Sequence, residues 1–225
     1  MRGLALLSYV FTWLLWLMIP EASLGYDTPP SAFPASQTEF HAVTINSSKS
    51  APMAFIPAGE FAMGSDRGQD DEQPVHRVLV KAFYLETHEV TVARYAAFLM
   101  SQKADPPFKW NEATSGAHES KPVAGVNWYD ARDYCRWIGR RLPTEAEWEL
   151  AARGTEGRMY PWGDAQPTRS HANAGHTKWH GYDTLTNVGQ FELGKTPNGV
   201  YDLAGNLWEW VADWYDATYY QFSQR

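Results

Sequence analysis

Arg141-Leu142-Pro143-Thr144-Glu145-Ala146-Glu147-Trp148-Glu149 carries the clearest local signal in the chain. Thr144 and Glu147 have the spacing of a capping box. In that motif the Thr hydroxyl and the Glu carboxylate each satisfy a backbone N–H that the first helical turn leaves unpaired. A helix therefore starts after Thr144, with Trp148, Ala151 and Ala152 facing inward. Upstream, Asn127 can cap a helix over Trp128–Ile138. Its Ala131, Tyr134, Cys135 and Ile138 recur at i, i+3, i+4 and i+7, which is an apolar stripe. Gly139 then suits the left-handed residue that ends a helix. Thr91 can cap a third helix running to about Gln102, with Tyr95, Phe98 and Leu99 on one face.

Before these helices the pattern is that of strands. Met53–Ile56 is a short apolar strand, Pro57-Ala58-Gly59 a turn, and Glu60–Met63 a second strand. Gly64–Pro74 reads as a solvated acidic loop carrying Asp70, Asp71 and Glu72. His76–Leu85 alternates as one strand, with Val78, Val80 and Phe83 opposite Arg77, Leu79 and Lys81. After Arg153 the periodicity fades. Gly154–Gly199 is far longer than the structureless loops of about 12–15 residues that compact domains usually tolerate. Its aromatic residues argue against disorder, and bound metal ions are a natural organiser. Tyr201–Leu203 and Leu207–Val211 are predicted as short strands around a Gly205-Asn206 turn.

The composition is globular, with 225 residues of which 44% are hydrophobic and 20% charged. The net charge of −7 excludes the basic footprint of a nucleic-acid binder. Clustered Asp, Glu and Asn suit cations better than phosphates. Eleven tryptophans stand out and are read as core filling in a fold poor in regular structure, with a carbohydrate- or peptide-binding surface as the alternative.

Residues 1–25 read as a signal peptide: Arg2, an apolar run over Leu4–Ile19, Pro20, and Ser23-Leu24-Gly25 before a cut at Tyr26. The run is short for a membrane span, which typically needs about 20 apolar residues, so no stable anchor is expected after cleavage. The chain is thus expected to be exported. Residues 26–51 read as a linker rich in Pro, Ser and Thr, with a glycosylation sequon at Asn46, and residues 52–225 form one domain. His176 and His180 have the spacing of a helical metal pair, but the flanking Gly175 and Gly181 argue for loop histidines. Cys135 is the only cysteine, and its place in a helix reads as a buried thiol.

Five segments, in order, complete the pattern. They are Phe55–Phe61 with Met63-Gly64-Ser65, then Glu89-Val90-Thr91, then Pro122-Val123 with Val126–Ala131, Arg141–Glu149, and Gly199-Val200-Tyr201-Asp202-Leu203-Ala204-Gly205-Asn206-Leu207-Trp208-Glu209-Trp210. Together they resemble the sulfatase-modifying-factor, or formylglycine-generating-enzyme, family over about Met53–Tyr220. The resemblance implies an α+β, C-type-lectin-like fold with low regular secondary structure, short strands and about three helices.

It also implies structural calcium, carried by Asp202, Gly205, Leu207 and Glu209, and a second calcium site at Asn173, Ala174, Asp183 and Leu185. Some members oxidise a sulfatase Cys to Cα-formylglycine with oxygen and a copper ion held by a cysteine pair. Others are iron-dependent sulfoxide synthases, pigment-maturation proteins or non-enzymatic partners. The implied partner is a sulfatase or another exported protein. The Arg-Gly-Gly-Ser-Trp-like segment and copper cysteines of active members have no counterpart in this sequence, so no catalytic residue is assigned and the chain reads as lacking the C-terminal part of the domain. By the same resemblance Cys135 would bond to a cysteine of that part.

Overall fold

The computed structural model describes residues 3–6, 51–175 and 180–222, the side chains of 3–6 excepted. The linker up to residue 50, with its sequon, lies outside the described residues, as do His176 and Trp179. Within the expected leader, Gly3–Leu6 are described and form strand β1.

Strands β2 (Met53–Ile56) and β3 (Gly59–Met63) run against β4 (His76–Val80) and β5 (Phe83–Glu86). β2 pairs with β5 from Met53↔Glu86 to Ile56↔Phe83, and β3 with β4 from Gly59↔Val80 to Met63↔His76. The two ladders share one continuous register and are a single long hairpin with a break in the middle. Pro57 lies at that break and has no N–H to give to a ladder. The single strand predicted over His76–Leu85 is therefore split at Lys81-Ala82, across from Pro57. The alternation itself holds: Val80 is buried while Leu79 is 77% exposed.

The three capped helices form where the sequence places them: α1 (Val92–Gln102), α3 (Trp128–Trp137) and α4 (Glu145–Arg153). Thr91 Oγ1 accepts from Arg94 N, and Asn127 forms a capping box with Asp130. In the α4 box Thr144 Oγ1 accepts from Glu147 N at 3.1 Å, and Glu147 Oε2 accepts from Thr144 N at 2.9 Å. Arg141 grips the same carboxylate with two hydrogen bonds of 2.6 and 2.7 Å, which holds its pKa below the usual carboxylate value. Two shorter helices, α2 (Trp110–Thr114) and α5 (Tyr219–Phe222), lack a periodic apolar run long enough to read from sequence.

β6 spans Glu209–Trp214, antiparallel to β1. The strand expected over Tyr201–Leu203 does not form. Asp202 and Asn206 sit at φ 59° and 60°, in the left-handed region, and a strand cannot continue through such residues. The long segment after Arg153 contains short 3-10 turns at Tyr182–Thr184 and Glu192–Gly194.

Three apolar clusters hold these pieces together. The largest packs Ile56, Phe61 and Met63 from the hairpin against Trp148, Leu150 and Ala151 of α4, with Val200, Leu203 and Val211. The second joins α1 to α3 through Tyr95, Phe98, Leu99 and Tyr134, where the Tyr95 and Tyr134 rings stack at 5.6 Å. The third joins Val92, Ala113, Ala124, Tyr182 and Leu185. The indoles add directed ties: Trp148 donates to Glu209, Trp128 to the Val211 carbonyl and Trp210 to the Val126 carbonyl. β6 is thereby pinned to α3, α4 and the loop before α3.

Phe61 is fully buried and Leu79, on the opposite face of the same hairpin, is not. Phe61→Ala is expected to cost about 3–5 kcal/mol of unfolding free energy through lost burial and a residual cavity. Leu79→Ala should stay within about 0.5 kcal/mol. Urea unfolding midpoints of the two variants check the contrast.

Candidate metal centre and adjoining cavity

The turn between Asp202 and Glu209 is built around one side-chain amide. Asn206 Oδ1 accepts from Thr186 N at 3.0 Å and from Asn173 Nδ2 at 3.2 Å. Asn206 Nδ2 donates to Glu89 Oε2 at 2.9 Å, and its backbone N–H donates to the Asn173 carbonyl at 2.9 Å. Gly205, at φ 137°, lies so close that a Cβ there would stand 2.7 Å from the Asn173 oxygen. Only glycine fits that approach. Sequence reasoning had read Gly205-Asn206 as an ordinary turn and missed the amide as a junction.

Three carboxyl groups face this turn. Asp202 Oδ2 accepts from Gly189 N at 2.6 Å, and Glu209 Oε2 from Trp148 Nε1 at 2.7 Å. Glu89, from the segment before α1, accepts from Asn206 through Oε2, while its buried Oε1 has no hydrogen-bond partner. Among the described residues none of the three forms an ion pair with lysine or arginine. Burial pushes Glu209 up to about 7 and raises Asp202. Glu89 is held well above the usual carboxylate range by burial first, then by the charges of Asp202 and Glu209. A site that strains three acids this way suits a cation.

The fit to calcium can be judged on donors. Among the described residues no three His, Cys, Asp or Glu side chains converge closely enough to hold a metal by themselves. Side chains alone therefore do not make the site. The Asp202 and Glu209 carboxylates with the carbonyls of Gly205 and Leu207 form an all-oxygen set of the hard character that Ca²⁺ takes, and the orphaned Glu89 Oε1 is a further oxygen without a partner at the same turn. This set fits the ion. In the second predicted set, Asn173 Nδ2 donates to the Thr184 carbonyl and to Asn206 Oδ1, while Asp183 and Ala174 are exposed and Leu185 is buried.

Beside the turn lies a cavity of about 360 Å³. Its walls are mostly apolar, among them Val126, Ile138, Leu142, Leu203, Leu207 and Trp210, and Glu89 and Glu209 also border it. Its charged lining includes Arg140, Arg141, Glu147 and Glu86, the last held by two Arg94 hydrogen bonds of 2.5 and 3.0 Å and by Arg140. Cys135 lines the same cavity and is a free thiol. Burial, then the nearby Glu86 charge, push its pKa up to about 12, against the opposing pull of Arg94 and Arg140. A thiol of this kind is neither a nucleophile nor a ready metal ligand near neutral pH.

Residues 39–225 match the sulfatase-modifying factor enzyme 1-like domain. The chain belongs to this family. The formylglycine-generating enzyme of Bos taurus is 34% identical over 220 residues, covering 72% of this chain and 58% of that protein. The inactive C-alpha-formylglycine-generating enzyme 2 of Bos taurus is 34% identical over 224 residues, covering 77% and 74%. The serine/threonine-protein kinase pkn1 of Chlamydia pneumoniae is 37% identical over 188 residues, covering 76% of this chain and 29% of the kinase. The chain thus spans well under two thirds of the kinase and of the bovine enzyme. Among solved structures, PvdO from Pseudomonas aeruginosa superposes with a TM-score of 0.63 at 27% identity, covering 78% of this chain and 76% of that one. The family fold expected from the sequence, mixed α and β with short strands, is the fold observed.

Cys135 provides a direct check on the cavity. In the native chain it is expected to resist iodoacetamide at pH 8, reacting at least ~100-fold more slowly than a free thiol, because so little thiolate is present. Addition of urea past the unfolding transition should restore the ordinary rate.

Proposed function

We propose that this chain forms the calcium-bound body of an exported formylglycine-generating-type protein, the part that builds the scaffold and the cavity rather than the part that performs the oxidation. Calcium would be held by Asp202, Glu209 and the carbonyls of Gly205 and Leu207. There it would supply structural cross-linking, drawing together the segments that meet at Asn206. One observation carries the division of labour: the only cysteine in the sequence is Cys135, a half-buried thiol raised to about 12. Copper chemistry of the family kind needs a cysteine pair, and the residues present do not fit it. In a longer protein carrying that pair, the activity would be oxidation of a sulfatase cysteine to Cα-formylglycine.

A second reading is a non-catalytic binding or maturation module on the same scaffold. It is favoured by the 34% identity to a relative named as inactive, over 77% of the chain. Incubation of a sulfatase-motif peptide with the 225-residue chain, copper and oxygen, followed by mass spectrometry, is expected to show no loss of the cysteine. Formation of the aldehyde would overturn the division of labour. The same experiment on protein purified from its native source separates the readings: turnover there supports the oxidase, and its absence supports the binding module.

The calcium assignment is tested separately by melting. EDTA should lower the melting temperature and added Ca²⁺ restore it, since a ligand at 100 times its Kd contributes about 2.7 kcal/mol to the native state. Asp202→Ala and Glu209→Ala should each remove the calcium response. An EDTA scan identical to the calcium-loaded scan would sink the assignment.

A further inference from the structure

A second group of buried and half-buried acids lies apart from the Asn206 turn, where the tip of the long hairpin meets α4 and α5. Glu149 is fully buried: its Oε1 accepts from Gly64 N at 3.0 Å and from Arg153 Nη1 at 2.5 Å, and its Oε2 has no partner. Glu72, in the loop that the sequence presents as solvated, also has a buried Oε2 without a partner. Glu145 Oε1 accepts from the Tyr220 hydroxyl of α5 at 2.9 Å. The Tyr220 ring packs edge-on against His76 of β4 at 4.6 Å, and a Cβ on Gly64 would come within 3.1 Å of that ring.

The surroundings are acidic. Asp71 is held by the Tyr215 hydroxyl at 2.6 Å, and Asp213 of β6 accepts from Glu145 N at 2.7 Å. Arg153 and His76 are the basic groups that act on these acids. One guanidinium cannot balance five neighbouring carboxyls, so the closed arrangement favours protons on some of them. Burial is the first cause that lifts Glu72 and Glu145 each to about 7; repulsion from Asp71 and Glu149 adds to both, and from Asp213 to Glu145. Against these stand the Gln69 backbone N–H and then Arg153 for Glu72, and the Tyr220 hydroxyl for Glu145.

We propose that this cluster is a proton-operated clasp, in which protonated Glu72 and Glu145 hold the 64–74 loop and α5 onto α4, and their ionisation lets both go. The sign follows from linkage. Carboxyls with a native pKa above the unfolded value bind more protons when folded, so stability falls as pH rises from about 4.5 towards 7, and levels off beyond. The loop and α5 sit at one end of the domain, so release can be local rather than global. The clasp makes this family member tighten in acidic compartments and loosen at neutral to alkaline pH.

Hydrogen exchange on the full 225-residue chain tests it, with saturating Ca²⁺ throughout so that the acids around Asp202 do not contribute. After correction for intrinsic exchange, protection of residues 64–74 and 215–222 should fall ~tenfold or more between pH 6 and pH 8, while α1 keeps its protection. Glu72→Gln and Glu145→Gln, which mimic the protonated form, should keep protection high at pH 8. If Glu145→Gln does not fold, Glu72→Gln alone carries the test, because Glu72 sits on the loop. Unchanged wild-type protection, an equal fall in α1, or an equal fall in the glutamine variant would each overturn the clasp.

Discussion

The amide of Asn206 is the constraint on which this structure turns. It satisfies groups on Glu89, Asn173 and Thr186, and its own backbone N–H returns to Asn173. Those partners lie up to 117 residues from Asn206 in the sequence. None of them lies in a regular sheet or long helix, so backbone ladders cannot supply the connection. A neutral amide can both donate and accept, which is what a junction between a carboxylate and backbone groups requires. An Asp at the same place would set another negative charge beside Glu89 and lose the donor. The neighbouring acids then follow: with Asn206 fixed, Asp202 and Glu209 are brought to either side of one tight turn.

Tryptophan does the remaining work of holding a fold with so little regular structure. Trp148 is buried and Trp128 and Trp210 half-buried, and each spends its indole N–H on a carbonyl or carboxylate across an element boundary. A buried indole left without an acceptor would cost free energy, so these bonds fix orientation as well as position. The aromatic content is thus divided: Trp148 is buried, Trp128 and Trp210 are half-buried, and Trp208 and Trp214 remain about half exposed.

What the sequence makes legible is what depends on near neighbours. The capping boxes at Asn127 and Thr144 involve residues three apart, and both form as read. The hairpin alternation is readable too, but its break is not, because that depends on Pro57 across the ladder rather than on Lys81 itself. The Asp202–Glu209 turn is found only through its resemblance to relatives. Two left-handed residues there defeat the strand expectation, and nothing in composition announces them. Glu89 and Glu72 were missed as buried acids for one reason: what encloses each comes from remote parts of the chain. Gly64, beside Glu72, bonds to a glutamate 85 residues further on.

The continuous register of the long hairpin has a consequence for the order in which the chain assembles. Its closing pairs, such as Met63 with His76, join residues near in sequence, and the capped helices are local as well. Such contacts form early because little chain entropy is lost in closing short loops. The bonds of Trp128, Trp148 and Trp210 span 61 to 84 residues, and that of Glu89 to Asn206 spans 117. They come last. Until the Asn206 turn closes, three indoles and the edge of β6 stand open on an otherwise formed body. The stage of folding most exposed to self-association is thus the penultimate one, when a single turn is missing.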